Sequence, residues 1–324
     1  MGMGKKTQLT AIAAGVAATL AAIAAVSIKP DIRKTTRRYA QKDGTNLYLD
    51  RYETERRVHH RRPVIIFTYG GGFHKGRRDN REYIDFFHFL ARKGYVVAAI
   101  DYRKGLRDLP AEKRKSTLAF LGALNDAIYM AVDDLVDATA YIIAHADEWG
   151  IDTNNIILCG SSAGAITALQ TEYAICNSQP EVTGKLPKDF NYAGVMSFAG
   201  ALSDKQLPEW EKKPCPIMLF HGDADRRVPF RRAAINGVGG LWGSTTIAET
   251  LKARKSPYYI YVIDNASHEV CKTPMAQHRR AITEFLHKLV HRHKQLRISI
   301  ENHRSKLTGV KKDFKLKEYI INNM

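Results

Sequence analysis

Cysteine is scarce in this 324-residue chain, and the spacing of its four cysteines excludes the usual cysteine motifs. Cys159, Cys176, Cys215 and Cys271 lie too far apart in sequence to form a metal-binding or redox motif. Cys159 lies within an apolar run typical of a strand, which predicts a buried thiol. The other three could include one disulfide if the chain is exported, and the sequence does not select the pair.

Acidic residues are also few: 33 Asp and Glu stand against 50 Lys and Arg, which gives a net charge of +17. A field of this sign attracts nucleic acid, anionic lipid or acidic polymers. The basic residues are spread along the chain, however, and no zinc-finger spacing, Arg/Gly-rich run or aromatic RNA-binding stretch accompanies them. We therefore expect no nucleic-acid partner and attribute the charge to a surface rich in Lys and Arg.

Charge is absent from residues 9–28, which follow Lys5 and Lys6. A short positive start, an apolar run and then small residues are the layout of a secretory signal, with a cleavage site at 22–24 or 25–27. The run is also about long enough to cross a bilayer. Residues 1–28 are therefore predicted to be a signal peptide or an N-terminal membrane anchor. The protein is expected to be exported (periplasmic or secreted), or membrane-anchored by an uncleaved segment.

Apolar runs alternate with segments of helical spacing after a charged linker at 29–38. The predicted strands are an edge strand at 46–50, and 63–68, 95–100, 155–159, 193–198, 217–220 and 258–263. The predicted helices are 83–92, 125–145, 163–176 and 275–290. Because most of the strands are apolar on both faces, the pattern predicts an α/β fold, a mostly parallel sheet with helices on both sides. On the second helix, Asp133 and Asp134 are expected to face solvent.

Three segments depart from this alternation. Residues 104–122 and 177–191 each follow the end of a strand or helix, where small cap insertions can form a pocket. Residues 295–324 are polar and basic and could form an added helix or a loosely held arm, and we predict a solvated C-terminal extension. The predicted organisation is thus a leader at 1–28, one α/β domain at 29–294 and a basic extension at 295–324.

A serine lies at the junction of a predicted strand and helix, in the sequence Gly160-Ser161-Ser162-Ala163-Gly164. In the pattern G-x-S-x-G a strand turns sharply into a helix, and the strained residue at the apex needs small neighbours. Ser162 is therefore the predicted nucleophile. The N–H of Ala163, at the helix start, would face a developing oxyanion. Ser161 is one position early and receives a supporting role.

Three glycines follow the strand predicted at 63–68, in the sequence Tyr69-Gly70-Gly71-Gly72-Phe73. Glycines let a backbone pass close to a substrate and direct N–H groups toward it. Gly71 and Gly72 are the predicted oxyanion donors, together with Ala163. A phosphate-binding loop is excluded at this turn, because neither G-x-x-x-x-G-K-[ST] nor G-x-G-x-x-G is present.

A serine hydroxyl needs a base to become nucleophilic, and the base needs an acid to orient it. His268, in the loop after the last predicted strand, is the predicted base. Asp225, in the loop after 217–220, is the predicted acid, and Asp223 is the alternative that the sequence hardly separates from it. His221 stands at the end of that strand, ahead of the acid, and is predicted to be structural.

Together these segments resemble the α/β-hydrolases of the carboxylesterase and lipase group, over about residues 47–290. The resemblance rests on YGGGF (69–73), VVAAIDYR (96–103), AVDDLVDATAYI (131–142), GSSAG (160–164), HGDADRRVP (221–229) and SHEV (267–270). It implies an α/β-hydrolase fold and a serine mechanism that needs neither metal nor organic cofactor. Tyr69 stands where esterases related to hormone-sensitive lipase usually have His, so the subfamily and the substrate stay open.

The predicted function is hydrolysis of carboxylic esters with short-chain or carbohydrate-linked acyl groups, through Ser162, His268, Asp225 and an acyl-enzyme. The expected partner is a small-molecule or glycan ester, and a membrane is expected only through the leader. An exported serine peptidase or amidase of the same fold is one alternative. A catalytically silent binding protein is the other, and the presence of all three residues disfavours it.

Overall fold

The computed structural model describes residues 31–55, 60–235, 237–303, 310–312 and 316–323. The leader predicted at 1–28 lies outside these residues. Within the described ranges, no helix has both the length and the apolar character that a bilayer crossing requires.

Twelve strands are described. They are β1 (Ile32–Lys42), β2 (Thr45–Thr54), β3 (Arg62–Thr68), β4 (Val96–Ile100), β5 (Ile151–Ser161), β6 (Gly194–Phe198), β7 (Ala201–Ser203), β8 (Ile217–Gly222), β9 (Arg232–Ile235), β10 (Gly239–Gly243), β11 (Tyr258–Ile263) and β12 (Arg297–Asn302). The α-helices are α1 (Arg81–Arg92), α2 (Ala111–Lys115), α3 (Thr117–Ala144), α4 (Ala146–Trp149), α5 (Ala163–Cys176), α6 (Pro180–Thr183), α7 (Ser244–Ala253), α8 (Thr273–Gln277), α9 (Arg279–Phe285) and α10 (Leu316–Asn323). A 3₁₀ turn covers His268–Cys271, and a π-helical turn covers Leu286–His291.

The central sheet has nine strands in the order β1-β2-β4-β3-β5-β6-β8-β11-β12. The β1–β2 and β2–β4 pairs are antiparallel, and every later pair is parallel. Strands β4, β6 and β8 are buried along their whole length. Because successive side chains of a strand point to opposite faces, this burial means that both faces of the sheet are covered. The predicted mostly parallel α/β sheet is confirmed.

Local signals explain where the longer helices begin. The Asn80 side chain accepts a hydrogen bond from the Glu82 N–H, and Ser116 accepts one from the Ala119 N–H, so each residue caps a helix. The second cap starts α3 at Thr117, well before the start predicted at 125. The helix predicted at 275–290 is instead divided into α8, α9 and the π-helical turn.

The sheet gains one strand at each edge that the sequence did not predict. The linker predicted at 29–38 lies largely within β1, which joins β2 through a hairpin at Asp43-Gly44. Both turn residues have positive φ (48° and 71°), the conformation that Asp-Gly favours in two-residue hairpins. The strand predicted at the edge (46–50) is therefore the second strand of the sheet.

The solvated extension predicted from residue 295 is wrong for its described parts. β12 pairs in parallel with β11, from Tyr258 opposite Arg297 to Ile263 opposite Asn302. α10 packs against β9 and α3, and its Leu316 and Tyr319 side chains are buried. The basic tail thus supplies both a strand of the sheet and a docked helix.

The predictions for the cysteines and for Asp134 have different outcomes. All four cysteines are buried free thiols, so Cys159 is buried as predicted and the disulfide among the other three is not formed. Asp134 is fully buried rather than facing solvent, and it pairs with Arg103 and Lys42. Helix α3 packs against both α5 and β1, which leaves no solvent at this position.

The strand order determines where the predicted functional loops meet. β3, β5, β8 and β11 are parallel, and the glycine loop, Ser162, Asp225 and His268 each follow the carboxyl end of one of them. The carboxyl ends of parallel strands lie at the same edge of a sheet, where α/β proteins bind their ligands.

Candidate active site

Ser162 occupies a strained position between β5 and α5. Its φ is 52° and its ψ is −118°, a backbone conformation that costs a non-glycine residue on the order of 1–3 kcal/mol. The neighbours must be small: a Cβ on Gly160 would lie 2.2 Å from the Gly164 oxygen, and one on Gly164 would lie 2.1 Å from the Thr68 oxygen. The close approach of strand and helix thus requires both glycines.

Three predicted residues form one hydrogen-bonded series. Ser162 Oγ lies 2.8 Å from His268 Nε2, and His268 Nδ1 lies 2.7 Å from Asp225 Oδ2. A carboxylate only accepts hydrogen bonds, so Nδ1 carries the proton and Nε2 can accept one from the serine hydroxyl. This is the arrangement in which an imidazole activates a serine.

The Asp225 carboxylate is held in its ionised form. Its Oδ1 accepts hydrogen bonds from the N–H groups of Arg227 (2.8 Å) and Val228 (3.1 Å). Burial by itself would raise the pKa of Asp225, but hydrogen bonds from His221 and His268 lower that pKa well below its ordinary value. His221, predicted to be structural, lies 3.4 Å from Oδ2 and also bonds Ser244 Oγ at 2.7 Å. It therefore contacts the same carboxylate oxygen as His268.

The Asp223 carboxylate does not contact His268 and has other partners. Its Oδ1 accepts a hydrogen bond from the Asn265 N–H at 2.7 Å, and its Oδ2 pairs with Lys312 Nζ at 2.7 Å. Of the two carboxylates that the sequence left open, Asp225 is the one that reaches His268.

The glycine loop lies beside Ser162. A Cβ on Gly70 would lie 3.1 Å from Ser162 Cβ, and one on Gly71 would lie 2.1 Å from the Lys75 oxygen. Gly71 and Gly72 have φ values of 143° and 61°, which side chains rarely tolerate. The Gly70 N–H donates to Tyr83 Oη at 3.3 Å. The N–H groups of Gly71, Gly72 and Ala163 have no hydrogen-bond acceptor among the described residues.

A tyrosine that the sequence did not single out connects the loops of the site. Tyr83 Oη donates to Ser161 Oγ at 3.3 Å, and Ser161 Oγ donates to the Cys271 carbonyl at 2.8 Å. With the bond from Gly70, this series joins the glycine loop, the serine turn and the segment that follows His268. Ser161 thus has the supporting position predicted for it, whereas Tyr83 looks in the sequence like any core residue of an amphipathic helix.

A cavity of about 530 Å³ opens over Ser162 and His268. The segment predicted at 104–122 supplies Leu106, Leu109, Arg114 and Phe120 to its wall. The segment 177–191 supplies none of the described lining residues, so that prediction is wrong: its α6 packs against α5 and α3 instead. The tail contributes Tyr319 and Asn322, which no sequence signal indicated. Among the described residues, no cluster of three His, Cys, Asp or Glu is placed to hold a metal.

Comparison with known proteins places this site in context. The sequence matches the family model described as the carboxylesterase family over residues 24–172, and the one described as phospholipase/carboxylesterase over residues 127–290. Gut esterase 1 of Caenorhabditis elegans is 27% identical over 108 residues, which are 33% of this chain and 18% of that protein. Fumonisin B1 esterase of Sphingopyxis macrogoltabida is 33% identical over 103 residues, 32% of this chain and 18% of that protein. The matched part thus spans about a fifth of the length of each relative.

Solved structures share the fold. Esterase 2 of Thermogutta terrifontis phosphoramylated by tabun has a TM-score of 0.57 and 20% identity, covering 79% of this chain and 94% of that chain. Its propionate-bound form has a TM-score of 0.56 at the same identity and coverage. At this level of identity the likeness shows the fold, which is that of the α/β-hydrolases.

Proposed function

Because the chain belongs to the phospholipase/carboxylesterase family of α/β-hydrolases, whose model matches just over half of it, we propose that it is a serine hydrolase of carboxylic esters. The observation that supports this most directly is the hydrogen-bonded series from Ser162 through His268 to Asp225, at the mouth of a cavity. A volume of about 530 Å³ is in the range of sites for small molecules. A small-molecule ester is therefore the proposed substrate, with short-chain and carbohydrate-linked acyl groups as the candidates.

The proposed reaction has two halves. In the first, His268 Nε2 takes the proton of Ser162 while Oγ attacks the carbonyl carbon, and the N–H groups of Gly71, Gly72 and Ala163 bind the oxyanion. Donors of this kind contribute about 3 kcal/mol each to lowering the barrier. His268 then gives the proton to the departing alcohol and leaves Ser162 acylated.

In the second half, His268 takes a proton from water, which attacks the carbonyl carbon of the acyl-enzyme. His268 then returns the proton to Ser162 Oγ as the bond to the acyl group breaks and the acid is released. Asp225 keeps the proton of the imidazole on Nδ1 and stays ionised throughout, as its lowered pKa requires. We also propose that the protein is exported or membrane-anchored, on the strength of the uncharged run at 9–28.

The adjacent serines provide a matched test. We expect Ser162→Ala to abolish both the hydrolysis of p-nitrophenyl acetate and labelling by a fluorophosphonate probe, while its circular dichroism stays that of the wild type. Ser161→Ala, which loses the bonds to Tyr83 and Cys271, should still be labelled. Full activity of Ser162→Ala would rule out the assignment. Faster cleavage of a matched amide than of the ester would identify an amidase instead.

A further inference from the structure

The cavity over Ser162 has an unbalanced charge. Four cationic side chains line it: Lys75, Arg114, Arg227 and Lys272. Among the described residues, no Asp or Glu lines it. A cavity of one sign with apolar walls concentrates ligands of the opposite sign.

Arg114 is the most unusual of these cations. It is half-buried, and its Nε and Nη2 donate to the carbonyls of Leu109 (3.2 Å) and Leu106 (3.4 Å), two other residues of the cavity wall. Other partly buried arginines of the described chain pair with carboxylates: Arg103 with Asp134, and Arg78 with Asp101. No ion pair within the described residues joins Arg114 to a carboxylate.

The geometry of a guanidinium allows one more interaction here. It has five N–H donors, and the two carbonyls use Nε and Nη2, so the donors of Nη1 remain for a ligand. A cation that is partly desolvated and held in place by carbonyls of a neighbouring segment binds an anion more strongly than a mobile surface cation does.

Lys75 provides a second cation in the wall of the same cavity. Its N–H donates to the Gly71 carbonyl at 3.1 Å, which ties it to the glycine loop. Its side chain is exposed, and no ion pair with a described carboxylate holds it. Lys272 differs, because its ammonium pairs with Glu82 at 2.5 Å.

We propose that Arg114 and Lys75 form an anion subsite of this cavity, and that the enzyme prefers esters whose acyl or alcohol part carries a carboxylate or a phosphate. The proposal rests on the proposed ester hydrolysis and narrows its substrate class. The ester carbonyl lies at Ser162, the carbon chain packs on apolar residues such as Phe120, and the anion reaches the guanidinium of Arg114.

A pair of substrates of equal chain length tests the acyl side: p-nitrophenyl hemiglutarate and p-nitrophenyl valerate. We expect wild-type kcat/KM to be about tenfold higher for the hemiglutarate, the effect of a charge-assisted hydrogen bond, and the preference to fall in 0.5 M salt. For the alcohol side, 4-acetoxybenzoate and 4-acetoxyphenyl phosphate are compared with 4-methylphenyl acetate. The substrate with the largest preference identifies the position and kind of the anion.

Variants connect the preference to the subsite. Arg114→Gln and Lys75→Gln should each lower the ratio of kcat/KM for the preferred anionic ester to that for its neutral partner, by about tenfold for Arg114, and Arg114→Lys should restore part of it. Arg107→Gln is the matched control: it removes the same charge from the same segment, but Arg107 lines a different cleft, so the ratio should not change.

The outcomes separate the two proposals. If the neutral esters are hydrolysed but none of the three anionic esters is preferred over its neutral partner, the anion subsite is wrong and ester hydrolysis stands. The same follows if the preference is unchanged in Arg114→Gln and Lys75→Gln. An equal loss of the ratio in Arg107→Gln would mean a general field effect and would also overturn the subsite. If the wild type hydrolyses no ester of the panel, the proposed function itself fails.

Discussion

Asp225 Oδ2 lies 2.7 Å from Nδ1 of His268, while the carboxylate of Asp223, two residues earlier, bonds Asn265 and Lys312 instead. The two side chains have the same chemistry and differ in direction. Asp225 is turned inward because the N–H groups of Arg227 and Val228 hold its second oxygen.

This difference predicts unequal effects of two isosteric substitutions. Asp225→Asn should lower kcat by about a thousandfold or more, because an amide cannot hold the imidazole in the required tautomer. Asp223→Asn removes only a pair that is partly exposed and should change kcat by less than about threefold. Steady-state kinetics on p-nitrophenyl acetate measure both, and similar losses in the two variants would contradict the assignment of the acid.

A second pair of neighbouring aspartates predicts a difference in stability. Asp134 is fully buried and accepts hydrogen bonds from the N–H (2.7 Å) and Nε (3.0 Å) of Arg103, whereas the Asp133 side chain is 37% exposed. Asp134→Ala leaves a partly buried guanidinium short of its main partner and should cost about 3 kcal/mol of unfolding free energy. Asp133→Ala should cost about 1 kcal/mol or less. Urea unfolding at neutral pH compares the two, and equal values would mean that Asp134 is not buried as described.

Asp133 also predicts how stability responds to acid. Burial acts to raise its pKa, but hydrogen bonds from Lys185 and Lys42 outweigh burial and lower the pKa from 3.8 to about 2. A carboxyl whose pKa is lower in the folded state stabilises the fold above its ordinary pKa. That contribution is lost as the pH falls from about 4 to about 2. The urea midpoint should therefore decrease over this window, and less steeply in Asp133→Asn. An identical slope in the variant would contradict the lowered pKa.

The docked tail helix predicts a change in chain-length preference. Tyr319 of α10 is buried and lines the cavity, whereas Ile321 of the same helix is 63% exposed. Tyr319→Ala should enlarge the cavity and raise kcat/KM for p-nitrophenyl octanoate relative to acetate by several-fold, because more apolar surface of the chain can be buried. Ile321→Ala is the control and should leave the ratio unaltered. A uniform loss on all chain lengths would show that Tyr319 does not border the acyl site.

Much of the sheet could be predicted because its strands are continuous apolar runs. The bounds of α5 and β11 agree with the prediction at both ends. β1 was missed because cations outnumber its apolar residues, although Asp43-Gly44 was a hairpin signal within reach. β12 was missed for a similar reason: Ile298 and Ile300 alternate with polar residues inside a basic tail.

The candidate site also contains residues that the local pattern predicts and residues that it does not. The serine turn, the glycine loop and His268 follow strand ends, so their positions follow from the fold itself. The choice between Asp223 and Asp225 depends on which way a loop side chain turns, and the burial of Asp134 depends on cations that arrive from β1 and from the loop after β4. Contacts between segments so far apart in sequence leave no trace in the local pattern.

Strand β1 carries part of the surplus positive charge of the chain at the edge of the sheet. In the described structure it is an outer strand of the sheet, and unpaired N–H and C=O groups on such a strand invite a second chain to pair with it. Its basic residues are Arg33, Lys34, Arg37, Arg38 and Lys42. Arg33, Lys34 and Lys42 pair with carboxylates, whereas Arg37 and Arg38 form no ion pair with a described carboxylate. Two copies that met along this strand would bring these like charges together, which disfavours polymerisation through the edge of the sheet.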